Sequence, residues 1–185
     1  MSGRASSPPG PEPPTTVPGR IVTAARCLAP AGNEHVLEIG CGTGAAVEHL
    51  LGTYPGLAYT AVDRSAHAVR QTQRRTGRLM DIARLTVVRA ELSDLTVELG
   101  TGTRFDLAFA INVNVFWTTH ATAEAAVLAA HLKPGARLCL VYTLPDGRRR
   151  DDIGERVLRS LNIPELHTTL SSHEGHLVVS SRRTT

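Results

Sequence analysis

The chain has 185 residues, 42% of them hydrophobic and 20% charged, and a formal net charge of +3. That suits one compact domain, and no apolar run approaches the roughly 18 residues that a bilayer-spanning helix requires. The N-terminus has no apolar signal-like core, so a soluble, cytoplasmic protein is expected. The positive charge invites a nucleic-acid reading, but aromatic residues make up only 4% of the chain and offer few platforms for stacking bases. Lys133 is the only lysine, and the arginines at 70, 74, 75, 78 and 148–150 read as solvated faces. Cys27, Cys41 and Cys139 are an odd, scattered set without C-x-x-C spacing. Neither a disulfide framework nor a metal site is expected from them.

Residues 1–16 hold Pro8, Pro9, Pro11, Pro13 and Pro14 among small polar residues, which predicts a disordered tail ahead of one domain over 17–185. Apolar residues at 17, 21, 22, 24, 25 and 28 follow a helix stripe that Pro30 and Gly32-Asn33 end. Val36-Leu-Glu-Ile39 then reads as a short buried strand, Gly40-Cys41-Gly42-Thr43-Gly44 as a glycine-lined turn, and Ala45 onward as a helix. Glycines there permit positive φ and leave no Cβ between a ligand and the backbone. The helix start behind them presents unpaired N–H groups and the positive end of a dipole.

This arrangement cradles a nucleotide-like cofactor, and spacing alone does not choose which. Gly40, Gly42 and Ala45 satisfy the dinucleotide pattern G-x-G-x-x-A, which leaves an NAD-binding domain open. Glu38, just ahead of the first glycine, is a poor neighbour for a pyrophosphate and suits a positively charged ligand. A second strand over 57–62 closes on Asp63, nineteen residues beyond Gly44, where a carboxylate can accept hydrogen bonds from ribose hydroxyls. Ser65 is a candidate N-cap for a helix to about Arg75, and 85–88 reads as a third strand.

Phe105 to Ile111 is a fourth strand, and its exit, Asn112-Val-Asn-Val-Phe-Trp117, faces the ligand crevice of a parallel sheet. Thr118 or Thr119 is expected to cap a helix over 121–132. Lys133-Pro134-Gly135 breaks that helix ahead of a fifth strand, 136–143. A helix over 151–161 follows, then two alternating segments, 165–170 and 176–181, around a Ser-Ser-His-Glu-Gly turn.

An acidic residue followed by Gly-x-Gly-x-Gly, an acidic residue ending the second strand, and Leu-Lys-Pro-Gly leading into the fifth together resemble the class I S-adenosylmethionine-dependent methyltransferases. The resemblance covers about residues 34–181 and implies an α/β fold. That fold is a Rossmann-like, doubly wound, mostly parallel seven-stranded sheet with a C-terminal antiparallel hairpin. It also implies S-adenosyl-L-methionine as cofactor. Glu38 would help hold its ammonium, Gly40, Cys41, Gly42 and Gly44 would pass beneath its amino-acid part, and Asp63 would bind the ribose. Ala90-Glu91-Leu92 would line the adenine, a loose match because glutamate replaces the commoner aspartate, and Asn112 would touch the cofactor. Asn114, Phe116 and Trp117 would face the acceptor, where an aromatic ring near a sulfonium gains cation–π attraction; equally, the aromatics pack against the next helix and the asparagines stabilise a turn. His120, just past this exit, is the best-placed histidine for the acceptor side, against a surface or helix-cap role.

The resemblance is unspecific for the acceptor. The expected activity is in-line methyl transfer to a small or medium-sized metabolite, with no metal and no assigned catalytic base. No Asn/Asp-Pro-Pro-Tyr sequence follows the fourth strand, which argues against amino-methylation of DNA bases. About 20 residues separate the fifth strand from the hairpin, too few for a large insertion over the acceptor. Either the pocket is open to a large acceptor, or the N-terminal tail, once ordered, or a second subunit of a homodimer completes it; the last is the alternative favoured for a small or medium-sized metabolite. The other reading is a cofactor-binding module with lost or different chemistry.

Overall fold

The computed structural model describes residues 17–79, 82–144 and 148–184. The Pro-rich segment expected to be a tail lies outside the described residues. Seven strands form one sheet: β1 (His35–Ile39), β2 (Ala58–Asp63), β3 (Leu85–Arg89), β4 (Phe105–Ile111), β5 (Leu132–Thr143), β6 (Leu166–His173) and β7 (His176–Arg183). Their order is β3-β2-β1-β4-β5-β7-β6. Strands β1 to β5 are parallel, while β7 runs antiparallel to both β5 and β6. The expected doubly wound sheet with a C-terminal hairpin is therefore the fold.

The helices are α1 (Gly19–Leu28), α2 (Ala45–Thr53), α3 (Ala66–Thr76), α4 (Leu95–Leu99), α5 (Val115–Thr118), α6 (Thr122–Ala130) and α7 (Arg148–Ser160). Two apolar layers hold them to the sheet. On one face Ile21, Ala24 and Leu28 of α1 and Val47, Leu50 and Leu51 of α2 pack on Val36, Tyr59, Leu107, Phe109 and Val141. On the other, Leu95, Phe116, Leu128, Ile153 and Val157 cover Leu37, Ile39, Ala108, Ala110, Leu138 and Leu140. Each large aliphatic side chain buried this way stabilises the fold by about 1.5–3 kcal/mol. Strand β4 is buried along most of its length, as expected for an interior parallel strand covered on both faces.

Four sequence expectations are corrected. Cys27 of α1 and Cys139 of β5, 112 residues apart, are joined as a disulfide, and Cys41 alone is free. Thr118 and Thr119 do not cap α6: their hydroxyls donate back to the carbonyls of Asn114 and Val115, at 2.9 Å each, and Ala121 is the N-cap residue. Lys133-Pro134-Gly135 lies within β5 rather than before it, beside a register shift between Phe105 and Leu107 of β4. The final hairpin turns at Glu174-Gly175, both at positive φ, so β6 extends to His173. Ser65, by contrast, caps α3 as expected, accepting from Ala68 N–H at 3.4 Å.

Candidate active site

The glycine turn is tied to the exit of β2 by three successive N–H groups. Those of Gly40 and Cys41 donate to Val62 O at 2.7 and 3.1 Å. That of Gly42 donates to Asp63 Oδ2 at 2.9 Å. The other carboxylate oxygen, Oδ1, accepts from Ser65 N–H at 2.9 Å. Each oxygen keeps further lone-pair capacity, because an ionised carboxylate offers about four acceptor sites.

Two of the three glycines are required by the protein's own packing. A Cβ on Gly40, at φ +75°, would lie 2.6 Å from Val113 Cγ2, and one on Gly44 would lie 2.9 Å from the Thr72 backbone. Gly42 differs, since a Cβ there would meet nothing nearer than Gly40 O at 4.0 Å. Space is therefore not what requires glycine at 42; its positive φ of +55° is. Gly40→Ala should cost about 1–3 kcal/mol through backbone strain and the clash with Val113. Thermal denaturation checks this, and an unchanged melting temperature would refute it.

The exit of β4 is fastened in turn to the end of β5. Asn112 sits in the left-handed region at φ +55°, which asparagine tolerates better than most residues. Its N–H donates to Val141 O at 2.9 Å, and its side-chain Oδ1 accepts from Thr143 N–H at 2.8 Å. The Tyr142 hydroxyl donates to Val113 O at 3.0 Å. A cleft of about 520 Å³ opens between these two fastened exits.

Among the residues expected at a site, Gly40, Asp63, Glu91, Leu92, Asn112 and Asn114 line this cleft. Cys41, Gly42 and Gly44 belong to the turn without lining it. Cys41 is buried with its sulfur 3.4 Å from Thr72 Oγ1, and burial pushes its thiol up to about 12, so it is no nucleophile. Phe116 is fully buried in the core and Trp117 packs partly buried against it, so the aromatics are placed by packing rather than at the cleft wall. His120 is exposed and outside the lining. Glu124, in the first turn of α6, lines the cleft and was not singled out by sequence. It sits in an alanine-rich stretch whose periodicity shows the buried face and not the open one.

Glu38 occupies the other face of β1 from Ile39, 3% exposed, and accepts from the Tyr59 hydroxyl at 2.8 Å. Burial pushes its carboxyl up to about 8, and neighbouring Asp63 adds to the rise while the Tyr59 hydrogen bond opposes it. It is not among the residues that line the cleft.

A sheet ordered 3-2-1-4-5-7-6 with its seventh strand reversed, and a cleft at the exits of β1 to β4, define the class I methyltransferase fold. The chain belongs to the class I S-adenosylmethionine-dependent methyltransferase family, a methyltransferase-domain model of which matches residues 37–138. It is similar to the O-methyltransferase cnsE of Penicillium expansum, 34% identical over 119 residues that cover 64% of this chain and 41% of that protein. The chain thus spans less than half the length of that curated relative. Among solved structures, the 4+2 cyclase SpnF superposes with a TM-score of 0.73 at 13% identity, covering 89% of this chain and 80% of that one. An O-methyltransferase from Thermotoga maritima gives 0.65 at 13% identity, covering 91% and 66%. At such identities these two are likenesses of fold.

Proposed function

We propose that the chain binds S-adenosyl-L-methionine in this cleft and transfers its methyl group to a small or medium-sized metabolite. The observation that carries the reading is Asp63, whose carboxylate joins the glycine turn to the exit of β2 and keeps acceptor capacity toward the cleft. A vicinal ribose diol is the ligand group that such a carboxylate serves. The bare backbone at Gly40, which lines the cleft, suits a close-lying amino-acid chain. Glu91 and Leu92 offer a carboxylate and an apolar wall beside it. The Asn112 amide nitrogen remains to donate, since its oxygen is committed to Thr143. Glu38 supports the turn from beneath through Tyr59 rather than by touching the ligand.

When bound, the cofactor supplies a methyl carbon already activated by its sulfonium. The chain's part is then alignment and exclusion of water, holding an acceptor atom about 3–3.5 Å away in a near-attack geometry. A thermal-shift comparison of S-adenosylmethionine, S-adenosylhomocysteine and NAD tests the cofactor, because a ligand that binds only the folded state raises the melting temperature. Stabilisation by NAD alone would overturn the proposal. Asp63→Ala should weaken S-adenosylhomocysteine about 10–100-fold while far-UV circular dichroism stays unchanged. Calorimetric titration decides it, and an unaltered affinity removes Asp63 from the site.

A second reading is favoured by one observation. Among the described residues, those lining the cleft include no histidine, lysine, cysteine or tyrosine to serve as a base. A methyltransferase-like module with different chemistry would share the cofactor and show no S-adenosylhomocysteine release with a metabolite pool. A partner subunit closing the acceptor side is part of the first reading. It predicts a dimer in sedimentation at the concentrations where turnover is seen.

A further inference from the structure

Strand β6 ends the sheet, and among the described residues no strand lies beyond it. Sheet edges that stay single are blunted by brevity, lysine, proline or a bulge. This one runs in unbroken register with β7, from Leu166 facing Arg183 to His173 facing His176, and carries no lysine and no proline. Leu170 at its middle is 39% exposed, and among the described residues only Val97 is another large apolar side chain listed so open to solvent.

The ladder decides which backbone groups of β6 are open. Just before the strand, Thr184 N–H donates to Glu165 O at 2.9 Å, which continues the same register by one pair. In an antiparallel pair, alternate residues bond to the neighbouring strand. His167, Thr169, Ser171 and His173 therefore bond to β7, while Thr168, Leu170 and Ser172 turn their N–H and C=O groups to the open edge. Leu166 shares their phase and agrees, since its N–H donates to Ile163 O at 3.1 Å and not to β7. The side chains of this stretch, His167-Thr-Thr-Leu-Ser-Ser-His173, read nearly alike in either direction.

We propose that β6 is a self-complementary docking edge, on which a second copy of this chain pairs antiparallel about a two-fold axis at Leu170. Leu170 then faces its own counterpart, and Thr168 faces Ser172 of the second copy. All three outward residues become hydrogen-bonded pairs, with about six backbone hydrogen bonds between the copies. Leucine meets leucine, and small hydroxyl residues meet small hydroxyl residues. The charges are complementary as well. Arg26 of α1 lies 3.4 Å from His173 Nε2, so His173 and His167 share the α1 face of the strand. The same register brings the Glu174 turn of each copy to the end of β6 where His167 and its cross-strand neighbour Arg182 lie on the other. An acid thus meets a basic end, which favours the pairing. The edge lies two strands beyond β5 and leaves the exits of β1 to β4 uncovered. It is therefore a surface apart from any subunit over the acceptor side, and it does not rest on the cofactor reading.

A one-strand interface is smaller than a standard one of about 1,600 Å², so micromolar affinity is expected. Sedimentation velocity of the full chain at about 100 μM should then show a dimer. Leu170→Lys sets two like charges on the axis and should weaken dimerisation at least about tenfold, with an unchanged far-UV circular dichroism spectrum. Leu170→Cys supplies the positive test. Facing residues of a hydrogen-bonded pair have Cα atoms about 5.5 Å apart, a distance that a disulfide bridges. Copper-catalysed air oxidation should cross-link this variant, whereas Val97→Cys, 82% exposed on α4, should stay uncoupled. A monomeric wild type overturns the inference. So does a dimer that survives Leu170→Lys, a Leu170→Cys variant that does not cross-link, or cross-linking through position 97 as fast as through 170.

Discussion

Glu38→Gln is expected to stabilise the protein at pH 8 and to leave it nearly unchanged at pH 5. The folded protein holds the Glu38 proton up to about pH 8, whereas the unfolded chain releases it near the ordinary value of 4.5. Between these limits the folded state binds more protons, so stability falls as pH rises through the window. A rise of this size corresponds to something on the order of 4 kcal/mol by pH 8. Glutamine keeps an acceptor for the Tyr59 hydroxyl and never ionises. Denaturant titrations of both proteins at half-unit intervals from pH 4.5 to 8.5 measure the difference, which cancels groups common to both. Parallel curves across the window would mean that Glu38 ionises normally in the folded state.

Breaking the bond between Cys27 and Cys139 should have an effect of similar size. The cross-link closes a loop spanning 112 residues and fixes α1 to β5. By loop-closure entropy it is worth roughly 4–5 kcal/mol, realised chiefly by restricting the unfolded chain. For a domain of this length that corresponds to about 10–20 °C in melting temperature. Scanning calorimetry of the Cys27→Ser, Cys139→Ser double variant against wild type reads it. Alkylation of denatured, unreduced protein supplies the chemical check. One labelled cysteine, Cys41, is expected, and three would show that the cross-link is absent.

Much of the fold was legible because its signals are local. The strand over 105–111 is bounded in the structure where its apolar run begins and ends, and Ser65 caps α3 as its position predicted. The place of Asp63 at the end of β2 and in the cleft lining was legible too, since it needs only a strand end and a count from the glycines. What stayed hidden depends on distant partners. The pairing of Cys27 with Cys139 joins a helix stripe to a strand that the chain reaches only after four others. Thr118 and Thr119 resemble caps in any window, yet their hydroxyls are taken by the carbonyls one turn back.

The side of β1 on which Glu38 falls was a signal present but unused. In a strand, residues 36 and 38 share a face, so the carboxyl follows Val36 into the apolar layer under α1 and α2. Glu124 had no such signal: its helix reads as buried on one side, and nothing in that pattern says that the opposite side opens on a ligand cleft.

Trp117 is the chain's only tryptophan and sits five residues past the left-handed bend at Asn112. Its ring is partly covered, and its indole N–H is buried with no partner among the described residues. Excited at wavelengths that spare its three tyrosines, the protein therefore emits from one indole, attached to the segment that fastens the far wall of the cleft. Any ligand that shifts this segment writes its arrival into the wavelength and intensity of that emission. The molecule carries its own optical gauge, with no label to attach.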